Sequence, residues 1–290
     1  MTSALTNATV GPYILRELIS AGGVAEVFKA QHRDGAGEYA VKVMRPERRG
    51  EKHHLKAFKA EYDLLTRLDH PGIPKGRRYD TVRERPCMVM SFVPGRPLHH
   101  LLDEHVLLAS QDIFLKLVEI VAYLHGEGIV HNDIKLENVL LRPDGRVALV
   151  DFGNARLAQK RGLISRLFKG RDPVFGTPTY LAPELVAGEG EPTFHSDLYS
   201  LGVCCFLLFT GEPPFVNDRK SARLRAAVNQ APPSLASRRT GLSSNFVKLI
   251  DACLAKDPAH RPEDAQRLLH ACKLASKAAT EARMRPIDVD

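Results

Sequence analysis

Short apolar segments bounded by small or turn-forming residues dominate the start of the chain. Val24, Val27 and Phe28 in "YILRELISAGGVAEVFKAQH" follow a small-residue turn, and "GEYAVKVM" is a β-branched run, so both predict strands joined by turns. The rhythm changes in "LKAFKAEYDLLTRLDH", where Leu55, Phe58, Tyr62, Leu65 and Leu68 recur at helical spacing until His70-Pro71-Gly72 ends the run. "RPCMVMSFVPG" predicts a further strand that closes in a Pro-Gly turn. Up to about residue 92 the pattern is strand-rich with one clear helix.

From "DIFLKLVEIVAYLHGEG" onward the periodicity is helical, except for "NVLLRP" and "RVALVDFG" on either side of the Asp144-Gly145 turn. Long helices are predicted around 196–209, 243–256 and 262–284, with no internal repeat and no low-complexity linker. The expectation is an α+β chain, a small β-rich part followed by a larger helical one.

Composition narrows the class. The chain has 290 residues of which 44% are hydrophobic, enough to bury a sizeable core. Its formal net charge of +7 is a mild bias that does not call for nucleic acid. The five cysteines, Cys87, Cys204, Cys205, Cys253 and Cys272, have neither CxxC nor metal-ligand spacing, which fits a reducing compartment. "MTSALTNATVGPY" lacks the basic start and apolar run of a secretory signal, and the longest later apolar run, "LGVCCFLLF", falls short of the roughly 20 residues that span a bilayer. A soluble, cytoplasmic protein without membrane insertion is expected, with no sensor or anchor attached.

Several short motifs carry chemistry. "HNDIKLEN" at 131–138 contains Asp133, Lys135 and Asn138, and "DFG" begins at Asp151. "YAVKVM" holds Lys42, and the predicted helix after it holds Glu61 on the side that carries Tyr62 and Leu65. "ISAGGVAEV" at 19–27 is a loop of small residues, "FGTPTYLAPE" spans 175–184, and "HSDLYSLG" and "DPAHRP" contribute Asp197 and Arg261. Taken in chain order, over about residues 13–265, the set resembles the Hanks-type, eukaryotic-like Ser/Thr protein kinases.

The resemblance implies a bilobal kinase fold, with a small β-rich lobe carrying one long helix over 12–92 and a larger, mainly α-helical lobe over 93–285. Residues 1–11 and 286–290 are left as tails, and the chain's compactness suggests a bacterial source. ATP and Mg²⁺ (or Mn²⁺) are the implied cofactors. Asp133 would orient a substrate hydroxyl and accept its proton, and Asn138 and Asp151 would bind metal through hard oxygen ligands. Lys42 would contact the α and β phosphates and pair with Glu61. In the phosphate-covering loop, beginning at Ile19, Ser20 replaces the first glycine of the usual pattern, Gly22 keeps the second, Ala25 replaces the third and Gly23 adds one. Met90 stands at the gatekeeper position, the backbone at Ser91 and Val93 would face adenine, and Val27, Ala40 and Leu140 would wall the ring. Glu184 is expected to pair with Arg261, and Asp197 to anchor the catalytic loop from a buried helix.

Lys135 and Thr177 follow the pattern of kinases that act on Ser or Thr of proteins. Asn132 stands where such loops usually carry Arg, and without a guanidinium beside Asp133 the "non-RD" type implied here has less need of a phosphorylated loop. Between Asp151 and Glu184, Arg156, Lys160, Arg161, Arg166, Lys169 and Arg171 face a single acid, Asp172. This basic segment (156–171) is read as attracting an acidic partner or a phosphate on Ser165, Thr177 or Thr179. A nucleotide-binding scaffold without catalysis and a small-molecule kinase are the alternative readings.

Overall fold

A computed structural model describes residues 4–35, 37–158, 178–217 and 219–284, with backbone alone for 220 and 277–284. The chain forms two compact units, Met1–Gly95 with Arg142–Asn154 and Arg96–Leu141 with Ala155–Asp290.

The first unit is built on a six-stranded sheet made of β1 (Thr9–Val10), β2 (Tyr13–Ala21), β3 (Ala25–His32), β4 (Glu38–Met44), β5 (Gly76–Val82) and β6 (Arg85–Ser91). The order is β1-β2-β3-β4-β6-β5, antiparallel throughout. Period-two alternation sorts the side chains. Phe28, Ala30, Val41, Val43, Cys87 and Val89 enter one core, whereas Val27, Ala40 and Lys42 alternate with them. Lys42 pairs across the sheet with Val27 on β3 and Met88 on β6. Helix α1 (Lys52–Arg67) buries Phe58, Glu61 and Leu65 at helical spacing. A short strand beyond the sheet, Val147–Leu149, also belongs to this unit, and its Leu149 N–H donates to the Gly72 carbonyl at 2.8 Å.

One expectation is corrected here. Within the segment read as a tail to residue 11, the described residues from 4 on pack down, because Leu5 and Val10 are 1% exposed within the sheet's core and Thr9–Val10 pairs with β2. Two apolar side chains spaced five apart were enough to anchor it, though too few to register as a pattern.

In the second unit Arg96–Pro97 is the strand β7, α2 spans Leu98–Asp103, α3 spans Ser110–Gly126, and β8 is Ile129–Val130. Strand β9 (Val139–Leu141) pairs antiparallel with β7, and Arg156–Leu157 pairs with β8. The helices α4 (Pro183–Ala187), α5 (Phe194–Thr210), α6 (Lys220–Asn229), α7 (Ser244–Cys253) and α8 (Ala265–Met284) follow. Helix α5 is buried almost all round, in keeping with the apolar run Leu201–Phe209 that fills its second half. A Thr193 and Ser196 capping box starts it and left-handed Gly211 ends it. Gly202 lets α7 approach: a Cβ there would stand 3.0 Å from Leu254 Cδ2 and 3.1 Å from Cys253 Cβ. All five cysteines are buried, unpaired thiols. Among the described residues no helix is long and apolar enough to cross a membrane.

Candidate active site

Each unit carries its own polar cluster. In the first, β4 directs Lys42 away from the core face and α1 presents Glu61, only 4% exposed. Lys42 Nζ donates to Glu61 Oε1 at 2.7 Å and Oε2 at 2.8 Å, and to Asp151 Oδ1 at 2.9 Å. Burial works against the Lys42 charge, but the Glu61 and Asp151 carboxylates outweigh it and hold the ammonium well above the ordinary lysine range. Burial raises Glu61, with Lys42 pulling the other way. Asp151 adopts φ 67°, a left-handed conformation that Asp tolerates better than most residues. Gly153 lies against the trio: a Cβ there would be 3.4 Å from Asp151 Oδ1 and 3.5 Å from Glu61 Oε2.

The small-residue loop sits between β2 and β3, with Ser20 paired to Val27 and Ile19 48% exposed. Neither Gly22 nor Gly23 has a positive φ, and a Cβ on either would meet nothing closer than 3.5 Å. The fold therefore does not itself require glycine there. Arg45 Nε donates to the Gly22 carbonyl at 2.6 Å and Arg48 Nε to the Gly23 carbonyl at 3.4 Å, tethering the loop to the connection before α1. Spacing along the chain gives no sign of this tether. Ala40 and Met90 face each other across β4 and β6 and are both 8% exposed. Ser91 spends its N–H on the Lys75 carbonyl at 2.9 Å, and Val93 lies just past the strand.

In the second unit the segment after β8 holds Asp133. Its Oδ2 accepts from Lys135 Nζ at 2.8 Å and from Asn138 Nδ2 at 3.2 Å, and Asn138 Nδ2 also reaches the Asp133 carbonyl at 3.0 Å. Both contacts fix the rotation of the carboxylate. Asp197, 1% exposed at the start of α5, accepts from the backbone N–H of His131 and of Asn132, each at 2.8 Å. His125 was not a sequence candidate, yet its Nε2 lies 3.2 Å from Asp197 Oδ2. Its Nδ1 accepts from the Ala265 N–H at 3.0 Å, so the proton resides on Nε2 and points at the carboxylate. Stacking on Phe194 at 4.2 Å completes its placement. A histidine near the end of the periodic segment "DIFLKLVEIVAYLHGEG" was the only signal available. Tyr180, inside the 175–184 motif but assigned no role from sequence, has a hydroxyl that accepts from the Leu136 N–H at 3.4 Å.

Arg261 is buried and joins Glu184 in a bidentate pair at 2.8 Å, with further donation to the carbonyls of His195, Ala255 and Lys256. Leu140 is a half-buried member of β9. Arg156 is engaged by Glu191 at 2.8 Å. Lys160, Arg161, Ser165, Arg166, Lys169, Arg171, Asp172 and Thr177 lie outside the described residues, whereas Thr179 is described and half-buried.

A β-sheet unit with a buried Lys–Glu pair and a helical unit with an Asp–Lys–Asn loop carry the residue pattern of the protein kinase class of fold. Residues 13–272 match the protein kinase domain family, and the chain belongs to that family. Members use ATP with a divalent metal ion. The chain is 32% identical over 271 residues to the serine/threonine-protein kinase PknJ of Mycobacterium tuberculosis, covering 91% of this chain and 45% of that protein. It is 31% identical over 277 residues to the serine/threonine-protein kinase pkn2 of Myxococcus xanthus, with 91% of this chain and 32% of that protein covered. Against the serine/threonine-protein kinase PkaA of Streptomyces coelicolor it is 31% identical over 268 residues, 86% of this chain and 47% of that protein. The chain spans half or less of the length of these relatives.

Proposed function

We propose that the chain is a Ser/Thr protein kinase that transfers the ATP γ-phosphate to Ser or Thr hydroxyls of proteins, itself included. The observation that carries this is the coexistence of two finished clusters, Lys42–Glu61–Asp151 and Asp133–Lys135–Asn138. A nucleotide-binding scaffold has no need of the second, and the Thr-Pro-Thr to Ala-Pro-Glu segment favours a polypeptide acceptor over a small molecule.

The residues fit a small hard cation. Asn138 spends its amide N–H groups on Asp133 and so has its carbonyl oxygen to offer, and the Asp151 carboxylate is 46% exposed. Carboxylate and amide oxygens suit Mg²⁺, which would screen phosphate charge when bound. Lys42 is held charged to meet phosphate oxygens, and Glu61 fixes its direction. Asp133 orients the acceptor hydroxyl and takes its proton. Lys135 brings a positive charge beside that carboxylate. Gly22 and Gly23, which the fold leaves unexplained, give phosphate room to approach the loop backbone. Ile19, Ser20, Val27, Ala40, Met90, Ser91, Val93 and Leu140 form the nucleotide's remaining surroundings.

Incubation with labelled ATP and Mg²⁺, beside Asp133→Asn, tests the reading. Positioned proton transfer contributes about 10² to 10⁴-fold, so the variant should lose phosphotransfer to that extent. Equal labelling by both proteins would refute it. Asn132 further implies activity without loop phosphorylation: protein made with and without a co-expressed phosphatase should turn over at similar rates. Strict dependence on a phosphorylated Ser165, Thr177 or Thr179 would oppose that.

A further inference from the structure

The start of α1 carries a cluster that phosphotransfer does not use. Glu51, immediately before the helix, and His53 and His54 in its first turn bring one carboxylate oxygen and two imidazole nitrogens within 4.8 Å of one another. Glu51 Oε2 lies 3.5 Å from His53 Nε2 and 3.0 Å from His54 Nδ1. Ligands placed tetrahedrally around Zn²⁺, each about 2.0–2.2 Å from the ion, stand about 3.4 Å apart, close to these separations. His54 Nδ1 is buried and makes no hydrogen bond despite its distance from the carboxylate. Glu51 and His54, three apart, share one side of the helix start, whereas His53 projects about 100° from His54, so its turn toward the same carboxylate is not a by-product of the helix.

We propose that Glu51, His53 and His54 form a site for a borderline divalent transition ion of the Zn²⁺ class, with a fourth position open to water. The donor set of two imidazoles and one carboxylate selects such an ion over Mg²⁺, which prefers oxygen alone. Arg48 Nη1 holds the other carboxylate oxygen, Glu51 Oε1, at 2.9 Å, and leaves Oε2 directed at the histidines. Arg48 and the positive end of the helix oppose a dication, which sets the affinity below that of closed thiolate sites. The same Arg48 reaches the Gly23 carbonyl, so the ion stiffens the start of the helix that carries Glu61 beside the phosphate loop. Among the described residues no other group of three offers such a set.

The chain contains its own control. His99 and His100 are also consecutive, at the start of α2, with rings 3.9 Å apart and an unpartnered His99 Nδ1, but they belong to no such ligand group. Calorimetric titration of the full chain with Zn²⁺ alone, and with Co²⁺ followed by visible absorption, should show one saturable event with tetrahedral ligand-field bands. His54→Gln and Glu51→Gln should each abolish it. The His99→Gln/His100→Gln double variant should retain it, and so should Asp151→Asn, which separates this ion from the one at the phosphotransfer site. Absence of the event in the unmodified chain, its survival in His54→Gln, or its loss in the His99/His100 variant would overturn the assignment. Should His54→Gln fold poorly, Glu51→Gln alone decides, since it changes one atom at the surface.

Discussion

Asn132 adopts φ 62° while its N–H is held by Asp197 Oδ1 at 2.8 Å. The backbone there is in the left-handed region, which costs most L-residues about 1–2 kcal/mol and costs Asn and Gly least. Asn at this position therefore has a conformational reason as well as an electrostatic one. Asn132→Gly should alter the urea unfolding free energy by no more than a few tenths of a kcal/mol, whereas Asn132→Val should lower it by about 1–2 kcal/mol. Equal destabilisation by both would show that the side chain, not the backbone, is what position 132 requires. The next residue, Asp133, keeps its own two partners in either variant, so stability and phosphotransfer can be read separately.

Among the elements, the phosphate loop shows function and fold pulling apart. Glycine costs backbone entropy, and at Gly22 and Gly23 neither a positive φ nor a close neighbour repays it. Replacing both with Ala should raise stability, by about 0.4–1 kcal/mol per site where the conformation is compatible. The same double variant should raise the KM for ATP by about tenfold, about 1.4 kcal/mol, with kcat less affected. Steady-state kinetics and thermal unfolding on one preparation check both halves, and an unchanged KM would remove the loop from nucleotide binding. A different element makes a stability prediction. Arg261→Met leaves the Glu184 carboxylate without its bidentate partner in a largely buried place, where breaking such a pair costs about 3–5 kcal/mol. Chemical denaturation should report a loss of that order.

Legibility also varied by element. Strongly periodic segments were readable: α3, α5, α7 and α8 fall where the apolar spacing put them, and α1 runs from Lys52 to Arg67 rather than starting at Leu55. Strand β5 was not read, because "GRRYDTV" lies at the sheet edge and shows polar residues on both faces. Helix α6 escaped for a similar reason, since "KSARLRAAVN" mixes charge through every turn and has no clear apolar stripe. In the candidate site, residues inside contiguous motifs were legible because their chemistry and spacing are local. His125 and Arg45 were not, because each acts through a partner far away in sequence, His125 with Asp197 and Arg45 with Gly22; Tyr180 lies inside a quoted motif, but its link to Leu136 is equally remote.

For the whole molecule, charge is the remaining lever. The net charge is +7, and five basic residues, Lys160, Arg161, Arg166, Lys169 and Arg171, fall within one stretch that has no acid before Asp172. Arg156, at its start, is already paired with Glu191. Exposed charges steer an oppositely charged partner over about one Debye length, about 10 Å at 0.1 M salt, and the steering fades as salt rises. An acidic peptide carrying a Ser or Thr acceptor should therefore lose kcat/KM roughly tenfold between low and physiological ionic strength. A neutral peptide should change little. Charge reversal to Glu at Lys160, Arg161 and Arg166 should flatten the salt dependence for the acidic peptide and leave kcat near its original value, because it alters no residue of the Lys42–Glu61–Asp151 or Asp133–Lys135–Asn138 cluster. If reversal left peptide choice and salt slope untouched, the segment would be a solvated stretch whose charge has no bearing on the partner. If the neutral peptide showed the same slope, the salt would be acting on nucleotide binding through Lys42 instead.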